Sequence, residues 1–568
     1  MAALTLRQEI RARVAAALAA CNTEHEWNLP ADLAFEVTRP RNPDHGDFSA
    51  NVAMTAAAAL RRSGVNLSPR EVAAHIAGRL PKDGAMAEVD VAGPGFLNLK
   101  VAPAWFWDRV ADTVLHPSRT GRLNVGQDRR IQVEFVSANP TGPLHFGGAR
   151  NAVLGDGLAR VMEACGFSVQ REFYVNDAGA QFDLFVQSLL AACMQLHGGQ
   201  AEFPPDGYRG AYMHEYAAAA CERLGTDWLA DAEGAADALR GPALDIVLED
   251  VRSEISLLGI EFDQWFSERE LHESGQVEAA IARLADQDAV YRAEGAVWFA
   301  ASRYGGNDQD VVLVRSNGAP TYFAADAAYH WNKLRIRDFD RALNVWSVDH
   351  QGHVPRMQAL VEAMGLDRQR LKIVLYDLVK LVRDGAEVAM SKRSGSFLTL
   401  REVVAEVGAD AVRFMLLTRA PESVVEFDLA RVVEQNPENP VYFVQYSHAR
   451  LCSILVRARA EGLLMPGAGD IHGHLRTHLN HPAELELARL LTELGDQLLT
   501  ALERSSPHNL TYYAMRIASA VNGFYRDCRV LDRSRPGLSG ARLCLCDAAR
   551  IVLARILHLL GVHAPASM

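Results

Sequence analysis

One histidine, one glutamate and a pair of glycines lie together where a nucleotide could bind. The run Ile131 to Val136 has strand character and contains Glu134. It breaks into a Pro/Gly turn carrying Asn139, and the turn leads through His145 to Gly147 and Gly148. A long helical pattern then starts near Ala149. Strand, turn and helix in that order form a nucleotide site in an α/β sheet. Glycines let backbone approach phosphate, and free N–H groups at the helix start favour anions. His145 is the candidate donor; the plainer reading is a turn histidine satisfied by backbone. A glutamate on an apolar strand is costly to bury unless paired, so Glu134 points to a cationic ligand or to a structural ion pair with a core arginine.

Two further constellations carry charge. Tyr322 and Asp326 are four residues apart in a helical pattern and therefore share one face. A polar segment, Ala389-Met390-Ser391-Lys392-Arg393-Ser394-Gly395, offers an ammonium at Lys392. There is no CxxC pair and no HExxH, so a structural metal is not expected.

Elements must position these groups. Residues 129–427 alternate strand-like runs with helical patterns, which predicts a parallel sheet with crossover helices. Residues 1–116 read as a separate unit, 117–128 as a linker, and 430–568 as all-helical. The 568 residues carry a net charge of −12. From Val441 onward there are 14 arginines, no lysine and 10 acidic residues, a net of +4 against −16 for the rest. Arginine suits planar contacts to phosphate and bases. Eight scattered cysteines fit a reducing compartment. No apolar run is long enough to span a bilayer. The Ala-rich start, with Arg7, Arg11, Arg13 and Glu9, reads as an ordinary first helix rather than a transit peptide.

The string Ser137 to Gly148 resembles the first signature motif of class I aminoacyl-tRNA synthetases in the version of arginyl-tRNA synthetases. Ala389 to Gly395 resembles their second, lysine-bearing signature loop. Tyr174-Val175-Asn176-Asp177-Ala178-Gly179-Ala180-Gln181, Ser347 to His353 and Asn439 to Arg450 are similar to further strings of that family. So are Gly46-Asp47-Phe48, Pro94 to Asn98 and Asp547-Ala548-Ala549-Arg550, and the resemblance covers almost the whole chain. Two positions depart from the pattern: Gly148 stands where the family has a second histidine, and Ala389 where it has a first lysine. Losing such donors costs enzymes about 10²–10³ in rate. Arg393, Lys380 or His353 are the candidate substitutes.

The resemblance implies an α/β, Rossmann-like catalytic domain between an N-terminal α+β domain at the outer corner of tRNA and a helical anticodon-binding domain. It implies that ATP activates L-arginine to arginyl-adenylate. The arginyl group then passes to the 3′-terminal ribose of tRNA(Arg), at the 2′-hydroxyl, and activation itself needs bound tRNA. Mg²⁺ arrives with ATP. The expected enzyme is a cytoplasmic monomer with no membrane contact. A planar cation with five donors needs carboxylates and oriented acceptors. By resemblance Glu134, Asn139, Tyr322, Asp326 and Asp349 contact arginine. His145 and Lys392 are catalytic, and Gly147, Gly148, Asp349, His350, Met390 and Ser391 join them around ATP. Gln445, His448, Arg450, Arg526 and Arg529 are the candidate RNA contacts. The alternative is a non-catalytic tRNA-binding paralogue with eroded motifs.

Overall fold

A computed structural model describes residues 5–40, 42–81, 85–230, 234–306, 309–383, 385–388 and 398–568. Ala389, Met390, Ser391, Lys392 and Arg393 lie outside the described residues.

A five-stranded sheet organises the middle of the chain. Its strands are β1 (Arg130–Glu134), β2 (Ser168–Val175), β3 (Gln264–Ser267), β4 (Arg341–Ser347) and β5 (Leu371–Tyr376). Their order is β5-β4-β1-β2-β3 and every pair is parallel. Parallel sheets are covered on both faces, and Ile131, Val133, Phe173, Leu343 and Val345 are accordingly buried. Helix α1 (Ala149–Ala164) follows the turn after β1 and is buried along most of its length. Gly155 permits this approach, since a β-carbon there would lie 2.2 Å from the Phe135 ring. The chain steps outward from β1 to β3, then returns to place β4 on the other side of β1. Strand order therefore reverses between β1 and β4. In such sheets ligands bind at the carboxyl ends beside that reversal.

Three more helices frame this point: α2 (Ala180–Leu196), α3 (Tyr212–Leu224) and α4 (Tyr322–Trp331). α4 runs on into one π-helical turn, Asn332–Ile336.

The N-terminal unit is an antiparallel four-stranded sheet with helices Leu6–Glu24, Val52–Arg62 and Pro69–Arg79. The Gly46-Asp47-Phe48 string works there as a joint. Gly46 has φ +86°, and a β-carbon would lie 2.8 Å from the Leu99 carbonyl. Asp47 accepts from the Val101 N–H at 2.7 Å and pairs at 3.0 Å with Arg489, which lies in the C-terminal helices.

Those helices include α5 (Pro440–Ala460), α6 (His508–Asp527) and α7 (Pro536–Leu560). Arg413 ties them to the sheet. Its buried guanidinium donates to the carbonyls of Leu560 and Leu258 at 2.9 and 2.8 Å and pairs with Asp156 of α1. Among the described residues no helix is long and apolar enough to cross a membrane. All eight cysteines are unpaired thiols.

Candidate functional site

A two-lobed cleft opens at the carboxyl ends of β1 and β4. The lobes measure about 490 and 590 Å³ and share Val136, Ser137, Asn139, Asn151, Asn176, Gln181, His350 and Tyr376. The turn after β1 forms the floor. Val136 and Ser137 have φ of +66° and +40°. A β-branched residue in that region is strained, and such strain persists only where surroundings enforce it. Enforcement comes from several directions. Asn151 of α1 accepts the Val136 N–H at 2.6 Å and donates to the Val345 carbonyl of β4 at 2.9 Å. Buried Glu254 accepts the Leu144 N–H at 2.5 Å. Tyr212 of α3 lies against Gly142, where a β-carbon would meet its ring at 2.8 Å, and its hydroxyl donates to the Thr141 carbonyl at 3.2 Å.

Tyr212→Phe removes that last bond, worth about 0.5–1.5 kcal/mol net. The variant should lose about that much unfolding free energy in urea denaturation. An unchanged midpoint would show that the turn holds without the hydroxyl.

His145 follows this turn and lines the larger lobe with Gly148. The segment from Leu398 is sewn to it. Phe146 N–H donates to the Leu398 carbonyl at 3.1 Å, and Leu400 N–H to the Leu144 carbonyl at 2.9 Å. Gly148 has an ordinary φ of −76°, and a β-carbon there would meet nothing within 4 Å. Space, not backbone conformation, is what this glycine provides.

The other lobe is a bank of carboxylates. Glu134, Glu268 and Asp326 line it, with Tyr322, Tyr174 and Asn139. Tyr322 is 56% exposed at the mouth. Gly179, at φ +96°, makes room for it, since a β-carbon would lie 3.1 Å from the Tyr322 hydroxyl. Asn139 donates to Gln181 at 2.5 Å. Asp177 does not line the lobe; it accepts from Ser267 Oγ at 2.6 Å and Arg269 N–H at 3.0 Å, fastening the end of β2 to β3. Burial, then the charge of Glu134, pushes Asp326 up to about 7, and Lys333 opposes this. Burial, then the charges of Asp326 and Asp177, pushes Glu268 up to about 8, and a bond from Tyr174 opposes it. Glu268 Oε2 is buried and, among the described residues, has no hydrogen-bond partner. Several acids, short of donors and facing one cavity, suit a cation with many N–H groups.

The buried cation beside Glu134 is a lysine. Lys333 donates to Glu134 Oε2 at 2.5 Å. Sequence reasoning missed Lys333, Glu268, Glu254 and Tyr212. Glu268 sits in a charged Glu-Arg-Glu run that reads as a solvated face; only the fold buries it.

Other expected residues fall less centrally. Gly147 and Asp349 line neither lobe, and exposed Asp349 accepts from Ser347 Oγ at 3.2 Å. His350 lines both lobes. Of the candidate substitutes within the described residues, His353 lines the cleft, whereas Lys380 is exposed on the strand Val379–Arg383. Burial, then Arg356 and His350, holds His353 below the usual histidine range, which favours the neutral ring.

Two of the expected RNA contacts have partners within the fold. His448 is buried, with Nδ1 2.8 Å from the Pro565 carbonyl, because the chain's tail crosses over α5. Gln445 donates to Asp410 at 2.8 Å and to the His563 carbonyl at 3.0 Å. His448 ties the tail to the helical region, and Gln445 joins that region to the helix Ala409–Leu416. Arg450, Arg526 and Arg529 are exposed, and Arg450 stacks 4.5 Å from the Tyr525 ring centre.

Residues 7–101 match the family described as "Arginyl tRNA synthetase N terminal domain". Residues 110–213 match "tRNA synthetases class I (R), catalytic domain", and 444–568 match "DALR anticodon binding domain". The chain is 42% identical over 565 residues to an arginine–tRNA ligase of Heliobacterium modesticaldum, covering 99% of each. It is 42% identical over 572 residues to one of Moorella thermoacetica, covering 100% of each. Its fold matches that of Thermus thermophilus arginyl-tRNA synthetase with a TM-score of 0.76, at 21% identity, over 99% of this chain and 100% of that one.

Proposed function

Because the chain belongs to the arginyl-tRNA synthetases, we propose that the cleft between β1 and β4 is where it joins L-arginine to tRNA(Arg). The enzyme activates arginine with ATP and then transfers the arginyl group to the terminal ribose. In the first step a carboxylate oxygen of arginine bonds to the α-phosphorus, and the bond to pyrophosphate breaks. In the second a ribose hydroxyl bonds to the arginyl carbonyl carbon, AMP departs and the hydroxyl proton is lost. Neither step needs a covalent protein intermediate, so the residues act by position and charge.

The single observation that carries this assignment of the cleft is the carboxylate bank of Glu134, Glu268 and Asp326 in one lobe, adjoining His145 in the other. Asp326 and Glu268 take the guanidinium, with Tyr322 over it. Asn139 meets the α-amino or carboxylate end. His145 donates to the phosphates, and His350 lines the nucleotide space with Gly148. Lys392 stands six residues before Leu398, the residue bonded to Phe146. That spacing supports a role for its ammonium on departing pyrophosphate. Mg²⁺ arrives with ATP, held by its phosphates and water.

We take residues 1–116, 129–427 and 430–568 as the three working units, with Arg450, Arg526 and Arg529 facing the anticodon arm. The expected monomer is kept as part of this proposal, and eight unpaired thiols fit the cytoplasm. The test is charging of tRNA(Arg) with labelled arginine and ATP, alongside ATP–pyrophosphate exchange with and without tRNA. Charging is expected, with exchange only when tRNA is present. No charging while tRNA still binds would overturn the assignment.

A further inference from the structure

We propose that Lys333 is a positioning residue of the arginine pocket: from behind Glu134 it fixes that carboxylate's charge and direction before substrate arrives. The proposal rests on reading the carboxylate-lined lobe as the arginine site. Lys333 is fully buried and lines neither lobe, so it acts through its neighbour and is not itself a ligand.

Its surroundings satisfy it completely. The ammonium donates to Glu134 Oε2 at 2.5 Å and to Asn344 Oδ1 at 3.1 Å, and lies 3.9 Å from the centre of the Tyr329 ring. Two acceptors and one aromatic face account for its three donors. Asn344 then offers its amide N–H to His330 Nε2 at 3.0 Å. His330 Nδ1 is 2.8 Å from the Asp326 carbonyl, which can only accept, so Nδ1 carries the proton. Burial holds that imidazole down to about 3, so the ring is neutral and one tautomer fits both bonds. In the other direction Glu134 Oε1 accepts from Ser137 Oγ at 3.2 Å, and Ser137 Oγ accepts the Tyr174 N–H at 3.1 Å.

One hydrogen-bonded chain therefore runs from Asp326 on α4, through Asn344 on β4, to Glu134 and the strained turn after β1. Lys333 is its central link. The π turn Asn332–Ile336 aims that side chain inward, and extra-residue turns of this kind recur at functional sites. Burying a carboxylate is costly unless a cation and donors accompany it, and Lys333 supplies both. Glu134 stands between Lys333 and the cavity, so its acceptors are set before a guanidinium enters.

The test is a double-mutant cycle on the full-length enzyme in tRNA-dependent aminoacylation, with Lys333→Met, Glu134→Gln and their combination. Lys333→Met should raise KM for arginine about tenfold. The kcat at saturating arginine and KM for ATP should move less than about threefold. The combined variant should be no worse than Glu134→Gln alone, because the lysine acts through the glutamate. Lys333→Gln, which keeps donors for Glu134 and Asn344, runs the same cycle if the methionine variant fails to fold. Additive effects, an equal rise in KM for ATP, or an unchanged KM for arginine while Glu134→Gln raises it would each overturn the proposal. An unchanged KM for arginine in Glu134→Gln itself would overturn the reading of the pocket as well.

Discussion

Asp326→Asn should cost about 10²–10³ in kcat/KM for arginine, while KM for ATP moves less than about threefold. Asparagine keeps the shape but removes the charge. It also turns an N–H₂ toward a guanidinium that has only donors, so one acceptor pair becomes a clash of donors. The size follows from removing one partner of a buried, hydrogen-bonded charge pair, which leaves the other without its counter-charge. Folding should not suffer. A buried acid whose folded value is raised costs stability as pH climbs above its unfolded value, and asparagine has no such cost. Thermal melts at pH 8 should therefore show Asp326→Asn at least as stable as the parent. If KM for arginine stays within about threefold, Asp326 does not meet the substrate.

How far the chain announces this site depends on how local each signal is. The turn from Glu134 to Gly148 is contiguous, and its strand–turn–helix order alone places His145 at the carboxyl edge of a sheet. Tyr322 and Asp326 need only helical spacing. Glu134 declares that it needs a cation, but the cation stands 199 residues away, on a π turn that no periodicity reveals. A core arginine is the structural partner to expect on an apolar strand, and Lys333 is the one found. Glu268 fails for the opposite reason. Its neighbours are charged, its helix is short, and it is buried because α4 and β2 close over it.

The helical region shows the same limit. Spacing along α5 groups Gln445 and His448 with polar surface residues, but the tail around His563 and Pro565 covers that face. Helical period says which residues share a face; only tertiary structure says what covers it. The Gly46-Asp47-Phe48 string is legible as a motif but silent about its task, since Arg489 lies hundreds of positions away. In contrast Gly148 is legible as a departure, and the structure adds that it leaves open space rather than a required turn.

Arginine binding should expel protons, and KM for arginine should fall as pH rises from about 6 to about 8.5. The sign follows from the empty pocket. Asp326 is pushed up to about 7 and Glu268 to about 8, so near pH 6 both carry protons. A guanidinium favours the ionised forms, so its binding releases those protons below pH 7 and progressively fewer above 8. Each proton released changes affinity by up to about tenfold per pH unit, so across this window the gain should reach about 10- to 100-fold. His353 is held below the usual histidine range by burial, which shifts its own contribution toward the acid end of the window. The same raised acids act on stability. Their favourable contribution is complete below the unfolded carboxylate range and is lost as pH rises through about 7 to 8. The free enzyme should therefore melt lower at pH 8.5 than at pH 6, and the stabilisation by saturating arginine should grow over that interval. Calorimetry in phosphate and in Tris, which differ in ionisation heat, would count the protons directly. Asp326→Asn and Glu268→Gln should each remove part of the release. Equal heats in both buffers, with KM for arginine flat across the window, would mean that the empty pocket holds its acids ionised and that something other than arginine neutralises them.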